Sequence, residues 1–217
     1  MFKRPAVLVR TTVLTVGVIY SLVLLSAGSN SATLFRYLTS VLPALAVVLL
    51  LVWDLWLWRL PGVSRLTHRP RIDGFWQGSL QPTAESQIPA GGNRGPIPVF
   101  LIVKQSYWSL HLRQYTAESA SDSRAYFWER VPGTSIDRLS FLYDNLPRPS
   151  ERHRSSPHRG SCSFDNQSLC PSAIHGVYFT DRYTQGEIDL TFVDRSDGYG
   201  SFAEAQTHAT AAHVKND

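Results

Sequence analysis

Two long apolar runs occupy the N-terminal part of the chain. The first extends from Val7 to Ala27, and the second extends from Tyr37 to Leu57 with Pro43 inside it. Each run has about the 20 residues that a helix needs to cross a bilayer, and the short polar linker 28–36 allows them to form a hairpin. The pattern therefore predicts a transmembrane hairpin over residues 1–60, followed by a juxtamembrane linker over residues 61–70.

Basic residues flank the two runs unevenly. Lys3 and Arg4 precede the first run, four arginines from Arg59 to Arg71 follow the second, and the linker holds only Arg36. Because cytoplasmic flanks are enriched in Lys and Arg, we expect both ends of the hairpin, and the domain that follows, on the cytosolic side. A cleaved signal peptide is an alternative interpretation of the first run.

Asp54 lies near the end of the second run. It can pair with Arg59 or with a cation of a neighbouring helix, or it can lie among lipid headgroups. Because acids inside membrane spans often have functional roles, burial in an oligomeric pore is a further alternative.

From Arg71 onward the apolar residues alternate with polar ones, and β-branched and aromatic residues predominate. This period of two predicts strands rather than helices. We predict eight strands, at 72–81, 97–105, 107–115, 121–131, 137–145, 158–164, 173–180 and 187–193. Their short turns favour an all-β domain over residues 71–195, which we expect to be a compact closed antiparallel eight-stranded barrel. Such a barrel can hold one small ligand. The tail 196–217 is expected to be frayed.

Charge and cysteine content narrow the function classes. Residues 1–60 hold five basic residues and one acid, whereas the remainder holds 16 of each sign, so the net charge of +4 belongs to the helical part. A DNA or RNA duplex is therefore not an expected partner, and any anion must be bound at a local site.

Cys162 and Cys170 are close enough in sequence to pair across a hairpin. We expect free thiols, since the domain is predicted to be cytosolic.

The chain lacks the common enzyme motifs, namely G-x-S-x-G, the P-loop, H-E-x-x-H and G-x-G-x-x-G. Its seven histidines are scattered, with no acid or cysteine at metal-ligand spacing. We therefore expect no enzymatic activity, no catalytic residue, no metal and no resident cofactor. A Ser–His–Asp arrangement assembled by the fold remains an alternative.

Three polar segments are candidates for contact with a phosphate or a base. The hydroxyl-rich segment 116–121 is either a solvated turn or a ring of hydroxyls at a barrel mouth. The basic segment around His158 is either a solvated loop or an anion site. Tyr178 either packs in the core or stacks on a base, and Arg182 can reach a phosphate. The candidate ligand-binding residues are Ser119, Ser121, Arg124, His158, Arg159, Tyr178, Thr180 and Arg182.

An ordered set of short motifs carries a family resemblance. The residues are Gly74-Phe75-Trp76-Gln77-Gly78, Pro96-Ile97-Pro98-Val99 leading to Lys104-Gln105, Thr116-Ala117-Glu118-Ser119-Ala120-Ser121, His158-Arg159-Gly160, and Gly176-Val177-Tyr178-Phe179-Thr180-Asp181-Arg182 with Gly186. Together with the apolar helix pair, this set resembles the SMODS-associated two-transmembrane, β-strand-rich effector family of bacterial cyclic-oligonucleotide-based anti-phage signalling (CBASS).

The resemblance implies a function. The barrel would sense a cyclic dinucleotide made by a partner nucleotidyltransferase, and binding would promote self-association. The helices would then disrupt the lipid bilayer of the inner membrane and cause abortive-infection cell death, with the protein a multi-pass inner-membrane protein whose β-domain lies in the cytoplasm. The main alternative is a membrane-tethered barrel that binds a lipid or other small apolar ligand. An unconventional membrane enzyme and a scaffold are further alternatives. The polarity of the pocket, and whether it is open or filled, would distinguish among these functions.

Overall fold

The computed structural model describes residues 5–26, 33–88 and 92–216. The chain forms two compact units. The first unit contains the helical residues up to Thr67 together with the turn Ser106–Ser109. The second unit contains His68–Gln105 and the residues from Leu110 onward.

The first unit is helical. Its elements are α1 (Pro5–Ser26), α2 (Thr33–Leu55), a 3₁₀ turn (Leu57–Arg59) and α3 (Pro61–Thr67). Pro61 occupies the first position of α3, where its missing N–H removes no helical hydrogen bond. The segment 61–70, which we expected to be a linker, therefore contains a short helix.

The helices do not meet the requirement for a membrane span. Among the described residues, no helix is long and apolar enough to cross a membrane. A span needs about 20 apolar residues because the hydrocarbon core of a bilayer is about 30 Å thick and a helix rises about 1.5 Å per residue. On this finding, the predicted two-helix transmembrane hairpin and the predicted multi-pass inner-membrane location are wrong. Lys3, Arg4 and most of the predicted linker lie outside the described residues.

Asp54 organises the end of α2 within the first unit. Its side chain is fully buried, and Oδ1 accepts the backbone N–H of Trp108 at 3.0 Å. Its carbonyl oxygen accepts the N–H of Tyr107 at 3.0 Å and the indole N–H of Trp58 at 3.1 Å. Asp54 thus links the end of α2 to the turn Ser106–Ser109 within this unit.

The second unit is built on a closed barrel. Its strands are β1 (Gly74–Pro82), β2 (Ile97–Gln105), β3 (Leu110–Tyr115), β4 (Ser119–Arg130), β5 (Asp137–Pro147), β6 (His158–Asn166), β7 (Ala173–Thr180) and β8 (Gln185–Asp194). Each strand pairs with the next, and β8 pairs antiparallel with β1. The predicted closed antiparallel eight-stranded barrel is confirmed.

Alternate residues of the strands fill one part of the barrel interior. Trp76 is fully buried there with Leu101 and Phe164. The indole N–H of Trp76 donates to the carbonyl of Ile72 at 2.9 Å, so the ring is held by a hydrogen bond as well as by packing. Cys162 is a buried thiol in this core, whereas the thiol of Cys170 is exposed, and both are free.

The C-terminal residues form α4 (Phe202–Asn216), whereas we expected a frayed tail. Ala205 and Ala209 are buried against Phe75 and Phe100, whose side chains point outward from the barrel. These alanines lie four residues apart on one helix face, and their small side chains allow close packing. The apolar face of α4 therefore covers part of the outer surface of β1 and β2.

Candidate ligand-binding site

The barrel interior also contains a cavity of about 500 Å³. Cys162, Tyr178 and Ile188 belong both to the packed core and to the cavity lining, so they form its base. Leu80 and Ile97 add apolar wall. The polar lining comprises Asn93, Gln114, Thr116, Glu118, Ser119, Ser121, Tyr143, Asn145, His153, Arg154, Ser155, His158, Thr180, Arg182 and Thr184. An eight-stranded barrel with such a cavity is consistent with a small-ligand-binding protein.

Six of the eight predicted site residues line this cavity. The period of two explains the agreement, because residues two apart on a strand share one face. Ser119 and Ser121 occupy inward positions of β4, and Tyr178 and Thr180 occupy inward positions of β7. The full set is Ser119, Ser121, His158, Tyr178, Thr180 and Arg182.

Arg124 and Arg159 do not line the cavity. Their Nε atoms lie 2.7 and 3.4 Å from the two carboxylate oxygens of Asp144, and their side chains are 68% and 83% exposed. Arg159 follows the inward-facing His158, so the alternation of the strand directs it outward. Arg124 falls where the pairing of β4 with β5 shifts register. Both arginines therefore pair with the carboxylate of Asp144 on the outside of the barrel.

A row of hydrogen bonds crosses β4, β5 and β6 at the cavity wall. The hydroxyl of Ser121 donates to Oδ1 of Asn145 at 3.0 Å, and the amide nitrogen of Asn145 lies 3.1 Å from Nε2 of His158. Nδ1 of His158 lies 3.1 Å from the carbonyl of Ser156. These contacts fit a neutral imidazole that donates from Nδ1 and accepts at Nε2. Burial lowers the pKa of His158 below its usual value, and the nearby charge of Arg182 adds to this effect.

Arg182 is a cation of the cavity that forms no ion pair with the described residues. It lies in the turn between β7 and β8, where its backbone N–H donates to Oγ1 of Thr180 at 3.3 Å. Its Nη1 donates to the hydroxyl of Ser155 at 2.8 Å. Its Nε is buried without a hydrogen-bond partner, and no ion pair within the described ranges includes this side chain. A half-buried guanidinium with an unused donor favours an anionic ligand.

Two phenols complete the inner part of the site. Burial raises the pKa of Tyr178 to about 12, with a further contribution from Cys162, and burial likewise raises the pKa of Tyr143. Both side chains are therefore neutral near pH 7 and can donate a hydrogen bond. Gly160 lies opposite Tyr143 and leaves room for its ring, since a Cβ there would overlap Cζ and the hydroxyl.

The loop between β5 and β6 supplies a second arginine to the cavity. Nη2 of Arg154 lies 3.0 Å from Oε1 of Glu118, and it also contacts Glu151 three residues earlier. The hydrogen bond from Arg154 lowers the pKa of Glu151 below its usual range. Arg154 is thus an ion-paired cation, in contrast to Arg182.

The candidate set drawn from the sequence left out several members of the site, among them Tyr143, Asn145 and Arg154. Tyr143 and Asn145 continue the inward alternation of Leu139 and Phe141 along β5, so the period of two contained the signal for them. Arg154 gave no periodic signal because it lies in an irregular loop, where only the fold determines which arginine faces the cavity.

Comparison with known proteins adds no family assignment. No family model matches the chain, and no curated protein shows a significant match to it. The functional conclusion therefore depends on the geometry of the cavity.

Proposed function

We propose that the barrel binds a small anionic ligand in this cavity, and that the ligand is a cyclic dinucleotide. The observation that carries the proposal is the half-buried Arg182, which has a buried Nε donor without a partner and no paired carboxylate within the described residues. Burial of an uncompensated charge is unfavourable, so an anion that supplies acceptors at this point gains both charge pairing and hydrogen bonds.

The remaining lining supports a nucleotide as the anion. A volume of about 500 Å³ lies within the usual range of small-molecule pockets, roughly 300–1,000 Å³. Tyr143 and Tyr178 offer aromatic faces and hydroxyls to a base. Ser119 and Thr180 add hydroxyls to the lining, which are bonded to Thr116 and Thr184 in the free protein. The resemblance described above is the reason for choosing a cyclic dinucleotide within this class.

The mixed lining speaks against the alternative of a lipid or other apolar ligand. Apolar residues form the base of the cavity and part of its wall, while hydroxyls, amides, imidazoles and the charged side chains of Glu118, Arg154 and Arg182 occupy much of the rest. An alkyl chain would leave the buried Nε donor of Arg182 without a partner, which is unfavourable. A nucleotide can place its base against the apolar part and its phosphate against Arg182.

The same resemblance extends the proposal to the partners of the protein. The cyclic dinucleotide would be made by a partner nucleotidyltransferase, and its binding would promote self-association. A ligand shifts an oligomeric equilibrium only if it binds the assembled state more tightly than the free protomer. Size measurement of the full chain with and without the ligand tests this step separately from binding.

Calorimetry with the full chain tests the proposed ligand. The panel contains cyclic di-GMP, cyclic di-AMP, cyclic GMP–AMP and cyclic di-UMP, and we expect at least one to bind. Arg182→Ala should weaken that binding by about 10- to 150-fold, because a hydrogen bond to a charged group is worth roughly 1.5–3 kcal/mol. Arg124→Ala is the matched control, since it also removes a guanidinium but lies outside the cavity.

A further inference from the structure

The two arginines of the cavity, Arg154 and Arg182, differ in their ion pairing. Arg182 has a free donor, whereas Arg154 is held by Glu118 and Glu151. They belong to one cluster, because the hydroxyl that accepts the hydrogen bond from Arg182 belongs to Ser155, the residue next to Arg154. The site therefore has one cation ready for an anion and a second cation that is already neutralised.

We propose that Arg154 is a second anion subsite of the cavity, which the carboxylate of Glu118 occupies until a ligand displaces it. The inference rests on the proposed function, because it adds a contact to the same site. It also refines the ligand class, since the ligand must carry a second anionic group that reaches Arg154 in addition to the one at Arg182. A cyclic dinucleotide has two phosphates and meets this requirement.

The two carboxylates on Arg154 differ in how readily they can leave. Glu118 lies at the tip of the turn between β3 and β4, and its side chain is 51% exposed. Glu151 is on the same loop as Arg154, and its side chain is 23% exposed. A carboxylate on the opposite, more exposed turn can rotate into solvent without disturbing the loop. Glu118 is therefore the group that a ligand displaces, while Glu151 keeps Arg154 in position.

The exchange is favourable because exposed ion pairs contribute little net stability. A phosphate offers two oxygens to the planar guanidinium, which matches its donors better than one oxygen of Glu118 does. The ligand therefore loses only part of its binding free energy in displacing Glu118. A ligand with a single anionic group gains nothing from Arg154, so the exchange favours ligands with two anionic groups.

A double-mutant cycle on the full chain tests this inference. The variants are Glu118→Gln, Arg154→Ala and the double variant, each titrated with the tightest-binding cyclic dinucleotide of the panel above. We expect Glu118→Gln to raise affinity about two- to fivefold, which is the worth of an exposed ion pair. Arg154→Ala should lower affinity about tenfold. Because Glu118 acts through Arg154, Glu118→Gln should change nothing in the Arg154→Ala background.

Glu187→Gln is the control for net charge, because Glu187 is exposed on β8 and does not line the cavity. The inference is overturned if Glu118→Gln raises affinity equally with and without Arg154, since that result indicates long-range repulsion. It is also overturned if Glu118→Gln behaves like Glu187→Gln. If the ligand binds and depends on Arg182 but the cycle shows no coupling, the proposed function stands and only the second subsite fails. If no panel member binds the wild type, both fail.

Discussion

Gly160→Ala perturbs the contact between β5, β6 and β7 at the cavity wall. A Cβ at this position would overlap Cζ and the hydroxyl of Tyr143 and would lie 2.7 Å from the carbonyl oxygen of Phe179. Even the close C–H···O contacts between neighbouring strands have C···O distances of about 3.3–3.6 Å. The Tyr143 ring can rotate away, but the Phe179 carbonyl is fixed in the pairing of β6 with β7.

The expected destabilisation follows from these two contacts. The carbonyl must move by roughly 0.6 Å to reach a normal distance, and overpacking of this kind costs about 1–3 kcal/mol. For a chain of this size, each kcal/mol lowers Tm by about 2–4 °C. We therefore expect Gly160→Ala to lower Tm by about 2–12 °C. The displaced phenol would also enter the cavity and weaken ligand binding.

Thermal denaturation of four variants measures this effect: Gly160→Ala, Gly198→Ala, Tyr143→Ala and the Tyr143→Ala/Gly160→Ala double variant. Gly198→Ala is the matched control, because a Cβ there meets nothing within 4 Å, and its Tm should stay close to that of the wild type. In a Tyr143→Ala background the cost of Gly160→Ala should fall but not vanish, since the Phe179 carbonyl remains. A Tm for Gly160→Ala that equals that of Gly198→Ala would refute the steric reasoning.

Two further predictions concern His158 and α4. An NMR titration should give His158 a pKa below its ordinary value of about 6.5, and Arg182→Ala should raise that pKa by removing a neighbouring cation. Because the folded-state pKa of His158 is lowered, its contribution to stability is complete above about pH 6.5 and is lost as pH falls through the folded-state pKa. If the pKa of His158 is unchanged in Arg182→Ala, the charge of Arg182 does not lower that pKa. Ala205→Leu should overpack the contact of α4 with the barrel at a cost of about 1–3 kcal/mol. The amide hydrogens of α4 should then exchange faster. Ala203 is exposed, so Ala203→Leu should leave amide exchange in α4 unchanged. Equal exchange in both variants would show that this face of α4 does not pack as described.

The strands could be predicted because apolar and polar residues alternate along them, with the apolar residues filling the barrel interior. The bounds of β2 and β7 agree with the prediction. β3 begins at Leu110 because Ser106–Ser109 forms a turn, which alternation alone does not distinguish from a strand. α4 escaped prediction because its buried positions include Ala205 and Ala209, which give little apolar signal in sequence.

For α1 and α2, the sequence predicted the presence of the helices but not their environment. The apolar runs beginning at Val7 and Tyr37 correspond closely to α1 and α2, so the presence of helices was predictable. Membrane insertion was a further inference, and the described helices do not support it. Asp54 shows the same distinction, because sequence placed it near a helix end but not against the turn that contains Trp108.

The site was predictable where it follows strand alternation. Ser121, Tyr178 and Thr180 were found because they lie at inward positions near polar strand ends. Arg159 was predicted to lie on the same surface, but it follows an inward-facing residue, points outward and pairs with Asp144. Arg154 was missed because the path of a loop depends on contacts with Glu118 and Glu151 that no local pattern reveals.

The most direct test of ligand binding by the barrel compares Arg182→Ala with Arg124→Ala in calorimetric titrations of the full chain. With the tightest-binding cyclic dinucleotide, Arg182→Ala should lose about 10- to 150-fold in affinity, while Arg124→Ala should match the wild type because its guanidinium is paired with Asp144 outside the cavity. Absence of binding by every panel member, or equal affinities for the two variants, would contradict an anion site at Arg182.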